Sequence, residues 1–102
     1  MKILVNVTQT DINQGSPACL SCPVALALHR VVDCYEISVR LKRIKFFRNL
    51  SDSGTAIDTP VNVYNWVAHY DYTFKTLEPR SNVKPFSFEL EIPNSIADLI
   101  KQ

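Results

Sequence analysis

Near its start the chain alternates in apolar character. Ile3, Val5 and Val7 are interleaved with Leu4, Asn6 and Thr8, the period-two pattern of a strand with at least one buried face. Thr8 stands three residues before Asp11, close to a capping-box arrangement. This predicts a short helical turn over Gln9 to Gln14 with Gly15 as its left-handed stop, and Ser16-Pro17 as a loop. Ser21 is a good helix N-cap, and Pro23 suits the first turn because its missing N–H costs nothing there. Val24, Leu28 and Val31 follow at i, i+4, i+7, widened by Ala25, Leu26 and Ala27. A helix of about Cys22 to Asp33, apolar on most sides and so mostly buried, is expected.

Tyr35 to Leu41 alternates, with Ile37, Val39 and Leu41 opposite Glu36, Ser38, Arg40 and Lys42. The phase then slips at Lys42-Arg43, because Ile44 and Phe46 carry the apolar set on even numbers. A bulge or bend accounts for the slip, and the run continues to Arg48. Asn49 to Gly54 reads as a polar loop. Thr59-Pro60 restarts a helix over about Val61 to Tyr70, where Val63, Trp66, Val67 and Tyr70 make one aromatic-rich stripe. Tyr72 to Leu77 reads as a short strand and Glu78 to Pro85 as a loop. Phe86, Phe88, Leu90 and Ile92 alternate with Ser87, Glu89 and Glu91, giving a half-buried strand that Pro93 ends. Asn94 or Ser95 caps a short terminal helix through Ile96, Leu99 and Ile100. The expected architecture is α+β: a small mixed or antiparallel sheet of about four strands packed against two main helices. Residues 1–102 form a single domain, the number of residues one core needs.

Composition removes several function classes. A formal charge of +1 gives no global drive toward nucleic acid or membrane. No stretch approaches the roughly 18 apolar residues of a membrane span. The opening apolar run, interrupted by Asn6, is too short for a secretory leader. Three cysteines, an odd number, argue against a disulfide framework. A reduced, cytoplasmic protein is the expectation.

Cys19, Cys22, His29 and Cys34 are of zinc-ligand type. The spacing fits badly, since Cys22 and His29 lie two helical turns apart, about 10 Å along the axis. Packing of the thiols in the core is the plainer reading, and no metal and no cofactor is expected. The same Cys-x-x-Cys lacks the strand-to-helix turn of redox pairs, although a helix N-terminus lowers a thiol's pKa. That N-terminus, at Ser21-Cys22, also offers N–H groups to an anion, a weak signal. Among the aromatic residues, Trp66 and Tyr70 read as core, with Tyr64, His69 and Tyr72 on the other side and available to a partner. No Ser/His/Asp order or paired-carboxylate motif is present, and two glycines cannot build a phosphate-cradling loop. No catalytic residue is assigned, and no enzymatic activity is expected.

The strongest candidate is a basic run. Arg40, Lys42, Arg43, Lys45 and Arg48 set five of the chain's eleven basic residues in one short stretch without an acid. Guanidinium forks suit phosphate oxygens, and Phe46 or Phe47 is placed to stack a base. The alternative is a solvated sheet face or a guarded edge strand. The ligand-binding set taken from this is Arg40, Lys42, Arg43, Lys45, Phe47 and Arg48.

Cys19-Leu20-Ser21-Cys22-Pro23-Val24-Ala25-Leu26-Ala27-Leu28, the preceding Thr8-Gln9-Thr10-Asp11-Ile12, and Pro85-Phe86-Ser87-Phe88-Glu89-Leu90 resemble segments of small uncharacterised bacteriophage proteins. The resemblance covers both ends and about half of the chain, not the basic run, and carries over no site residues. It implies a phage origin, a place in the host bacterial cytoplasm, and with these a role against host defence. Joined to the basic run, it suggests a non-enzymatic inhibitor that sequesters a nucleotide-derived immune signal of the cyclic nucleotide or cyclic ADP-ribose type. A small domain can hardly enclose such a ligand alone, so a homo-oligomer with sites between subunits is expected. The alternatives are a protein-binding inhibitor of a host defence effector and a zinc-containing nucleic-acid module.

Overall fold

The computed structural model describes residues 1–101. Five strands and three α-helices follow one another as β1 (Lys2–Val7), α1 (Gln9–Gln14), α2 (Pro23–Val31), β2 (Glu36–Val39), β3 (Arg43–Phe47), β4 (Thr55–Asp58), α3 (Val61–Lys75) and β5 (Phe86–Glu91). Short 3-10 helices occupy Arg80–Asn82 and Asn94–Leu99. The class is α+β as the pattern predicts. The expected single sheet of about four strands is instead two antiparallel sheets, β1-β5 and β2-β3-β4.

The first sheet joins the two ends of the chain, with Val5 opposite Phe88 and Val7 opposite Phe86. Its inner residues Val5, Val7, Phe88 and Leu90 are buried. The sparsely charged helix α2 packs on both β1 and β2, and Val24, Ala25, Ala27 and Leu28 are at most 1% exposed. Burying so much apolar side chain is the main force holding the two sheets together. The chain's end returns to the α2–β2 junction, where Val31 accepts from the Lys101 N–H at 2.8 Å and Leu99 from the Asp33 N–H at 2.7 Å.

The slip in alternation at Lys42-Arg43 marks a hairpin turn, not a bulge. Ile37 faces Phe46 and Val39 faces Ile44 across β2–β3. Reversal through Leu41-Lys42 moves the inward set from odd to even numbers while Ile37, Val39, Ile44 and Phe46 stay on one face. The Arg40 N–H closes the turn on the Arg43 carbonyl at 2.9 Å. β4, where the sequence predicts no element, is an edge strand only four residues long, too brief for alternation to stand out.

Three further expectations are corrected. Gly15 is extended, with φ −76°, so no left-handed stop is needed. It is glycine because a Cβ would stand 2.8 Å from Pro23 Cδ and 2.9 Å from the Asp11 carbonyl. Ser21 does not cap α2: its hydroxyl pairs with that of Ser16 at 2.7 Å, and Cys22 takes the N-cap position. Tyr72 to Leu77 is not a strand, because α3 continues to Lys75. The buried stripe Val63, Val67, Tyr70 runs on to Thr73, and the Thr73 hydroxyl is satisfied by donating to the Tyr70 carbonyl at 2.9 Å. The aromatic and β-branched residues that suggest a strand thus lie within a helical period.

Candidate functional site

Alternation along β3 turns Ile44 and Phe46 into the core and leaves Arg43, Lys45 and Phe47 on the outer face. Cross-strand register sets their neighbours. Lys45 lies between Ser38 and Ala56, Arg43 faces Asp58, and Phe47 faces Glu36. The residues flanking Lys45 are small, so the face is a plate with a central Arg43–Lys45–Phe47 row.

The Lys45 ammonium stands 5.4 Å from the centroid of the Phe47 ring, a cation–π contact. Gly54, with φ +92°, lets the chain pass beneath this pair. A Cβ there would meet Lys45 Cε at 2.7 Å and Phe47 Cε1 at 2.8 Å. Arg43 reaches Asp58 at 3.6 Å with both side chains largely in solvent, a contact too exposed to hold the guanidinium firmly. Arg40 precedes the hairpin turn, Lys42 lies in it, and both are exposed. Their carbonyls accept from the Thr59 hydroxyl at 2.9 Å and the Thr59 N–H at 3.1 Å, which pins the turn against the start of α3.

Arg48 departs from this group. It donates to both Asp98 oxygens at 3.0 and 2.6 Å and to the Ser95 carbonyl at 2.6 Å, tying β3 to the C-terminal 3-10 helix. The Arg48 guanidinium holds the Asp98 carboxyl below its usual range. The six residues singled out in the sequence therefore divide. Arg40, Lys42, Arg43, Lys45 and Phe47 share the plate and its hairpin tip, while Arg48 is engaged in an internal ion pair.

None of the five cations lines either of two clefts on the fold. The larger, about 360 Å³, lies at the end of the β1–β5 ribbon between Asn6, Thr8, Gln9, Pro85 and Ser87. The smaller, about 160 Å³, touches the plate through Phe47 and is otherwise lined by Tyr35, Glu36, Asn49, Leu50 and Asp52. Asp52 accepts from the Arg48 N–H at 2.9 Å and the Gly54 N–H at 3.1 Å, and these donors keep its carboxyl below the usual range. A phosphate entering this cleft would meet Glu36 and an ionised Asp52. Electrostatically the plate and its adjoining cleft are opposed.

Comparison with protein-family models, curated proteins and solved structures finds no significant match.

The other candidates take structural places. Cys22 is buried, and burial pushes its thiol up to about 11, opposite to a redox nucleophile. Cys19 and Cys34 are half-buried, and all three cysteines are free thiols. Among the described residues no three His, Cys, Asp or Glu side chains converge as metal ligands. Trp66 stacks on Phe86 at 4.7 Å and on Tyr70 at 5.8 Å between centroids, and its indole N–H donates to the Lys84 carbonyl at 2.9 Å. Tyr64, His69 and Tyr72 are exposed on the opposite side of α3.

Sequence reading misses two structural arginines. Arg80 donates to the carbonyls of Ile12, Asn13 and Gly15 at 2.6–2.8 Å, satisfying the C-terminal end of α1. Arg30 grips the buried Asp11 carboxylate. Isolated in loop or helix sequence, neither carries a spacing signal. Their engagement, with that of Arg48, leaves the plate as the place where uncommitted cations gather.

Proposed function

We propose that this chain is a non-enzymatic binding protein that works by covering a flat, acidic surface of another protein. Its contact surface is the outer face of β2–β3–β4 with the hairpin tip. Arg40, Lys42, Arg43 and Lys45 supply positive charge and Phe47 supplies an apolar anchor. One observation carries this reading: the cations stand exposed on the outer sheet face, and the cleft that adjoins them at Phe47 carries the carboxylates of Glu36 and Asp52 and none of the cations. A flat, charged rim around an aromatic residue suits protein recognition, where charge complementarity steers encounter and selects the partner. Taken with the resemblance to bacteriophage proteins, the partner is a host defence effector that the chain inhibits.

The test is recovery of tagged protein from a bacterial host, as parent and as Arg43→Glu/Lys45→Glu. A bound protein retained by the parent and lost from the double variant supports the reading. Equal recovery by both contradicts it.

A second reading keeps a nucleotide-derived signal as the ligand. The cation beside the Phe47 ring favours it, because a base stacks on such a face while its phosphate meets Lys45 and Arg43. A second copy of the chain would have to close the site. Calorimetry against cyclic dinucleotides and cyclic ADP-ribose separates the two: saturable heat supports signal capture, and none supports the protein partner.

A further inference from the structure

Helix α3 has fifteen residues, and only Asp71 and Lys75 carry full charge. One face is buried through Val63, Val67, Tyr70 and Thr73. The opposite face should be the charged one in a helix that ends its packing there. Instead Val61, Tyr64, Ala68 and Tyr72 fall at i, i+3, i+7, i+11. At about 100° per residue these four lie within an arc of about 80°. Val61 is 76% exposed, Tyr64 40% and Tyr72 62%. From Val61 to Tyr72 this outer side of the helix is therefore uncharged, with Lys75 joining it at the C-terminal end, and the described chain leaves Val61, Tyr64 and Tyr72 exposed.

We infer that this outer stripe of α3 packs against the same stripe of a second copy, antiparallel about a two-fold axis at Ala68. Symmetry and charge single out this occupant. Ala68 is the midpoint of Val61–Lys75, so antiparallel copies place the smallest side chain of the stripe on its own counterpart, where the helices cross most closely. Tyr64 then shares a layer with Tyr72 of the second copy at both ends, each ring covering apolar surface of the other. No charge of the stripe's centre opposes itself across the axis. At the ends, Lys75 of one copy approaches the start of α3 in the other. Asp58 lies there with its side chain 88% exposed, held only by the loose 3.6 Å contact to Arg43. Each end thus pairs an ammonium with a carboxylate, twice by symmetry. A surface one helix wide, about 22 Å long, is smaller than a standard interface, so the pair is concentration-dependent.

This inference does not rest on the plate's function: apart from Asp58, which faces Arg43 at the edge of the plate, its contacts lie on α3. Sedimentation velocity over about 5 to about 500 µM, the range of small interfaces, tests it. The parent should shift from monomer toward dimer, and Tyr64→Glu/Tyr72→Glu should remain monomeric with an unchanged circular dichroism spectrum. A parent that stays monomeric throughout overturns the inference. The axis is tested by mild oxidation. Ala68→Cys should give a covalent dimer above the parent's background. Val61→Cys should not, since its two copies stand about 20 Å apart. Equal linkage of both, or saturation of the stripe by a different protein while the chain alone stays monomeric, overturns it as well.

Discussion

Arg30 on α2 holds Asp11 on α1 through two charge-assisted hydrogen bonds of 2.5 and 2.7 Å. The Asp11 side chain is 4% exposed and that of Arg30 49%. Asp11 also accepts from the Thr8 N–H at 2.9 Å while Thr8 Oγ1 caps the Asp11 N–H, completing the capping box. Burial raises the Asp11 carboxyl, but the Arg30 fork and the Thr8 N–H together bring it below 3.8. A carboxylate depressed in the folded state contributes stability that is full above its unfolded value and lost as pH falls through the folded one. Arg30→Ala should cost roughly 2 kcal/mol at pH 7, mostly from leaving that carboxylate without its main partner. The gap between parent and variant should narrow below pH 3.8. Urea melts at pH 7 and pH 3 check both statements, and a gap that widens in acid would contradict the pairing.

Leu77 and Gly15 invert the usual assignment of glycine. Leu77 holds φ +61° at the end of α3, where the Glu78 N–H reaches the Thr73 carbonyl at 3.0 Å and the Leu77 N–H that of Phe74 at 3.1 Å. This is a Schellman stop with leucine where glycine is usual, and the side chain is 89% exposed. Leu77→Gly should stabilise the fold by about 1 kcal/mol by removing left-handed strain, raising the melting temperature by roughly 4–8 °C. Gly15→Ala should lower it, because its Cβ has no room beside Pro23 and the Asp11 carbonyl. Thermal melts in which the two substitutions exchange signs would refute both assignments.

Much of the fold is legible in the sequence where burial is one-sided and the segment long. β1, α2 and β5 emerge from their periods because each has a continuous apolar face. The β2–β3 run is legible as strand but not as hairpin, since a bulge and a two-residue reversal shift apolar parity alike. β4 is too short to alternate visibly, and the second half of α3 carries strand-like residues that only a core contact makes helical. The site is legible as a cluster of charge. Arg48's engagement is not, because Asp98 is fifty residues away, and no local pattern predicts that pair.

Cys22 should be the slowest thiol. It is 2% exposed, and burial raises its pKa from 9.0 to about 11. A thiol raised in the folded state contributes stability that is present below pH 9.0 and lost as pH rises through about 11. At pH 8, iodoacetamide followed by mass spectrometry should label Cys19 and Cys34 before Cys22. Labelling of Cys22 first would contradict its buried, neutral state. Base titration should reveal destabilisation between pH 9.0 and about 11, diminished in Cys22→Ala.

Arg48→Ala and Lys45→Ala should separate structure from binding. Arg48 joins β3 to Ser95 and Asp98, so its loss should lower thermal stability modestly and leave partner recovery largely intact. Lys45 has one cation–π contact at an exposed site, worth about 0.5–1 kcal/mol, so its loss should affect stability little and recovery strongly. The reverse pattern would place binding at the Arg48–Asp98 end of the fold.

The most direct measurement is the salt dependence of partner recovery from the bacterial host by parent and Arg43→Glu/Lys45→Glu chains of equal thermal stability. Binding through the outer sheet face should retain a specific protein on the parent at low salt, weaken as ionic strength rises, and vanish in the double variant at every salt concentration. Undiminished recovery by the charge-reversed chain would contradict a working surface on that face.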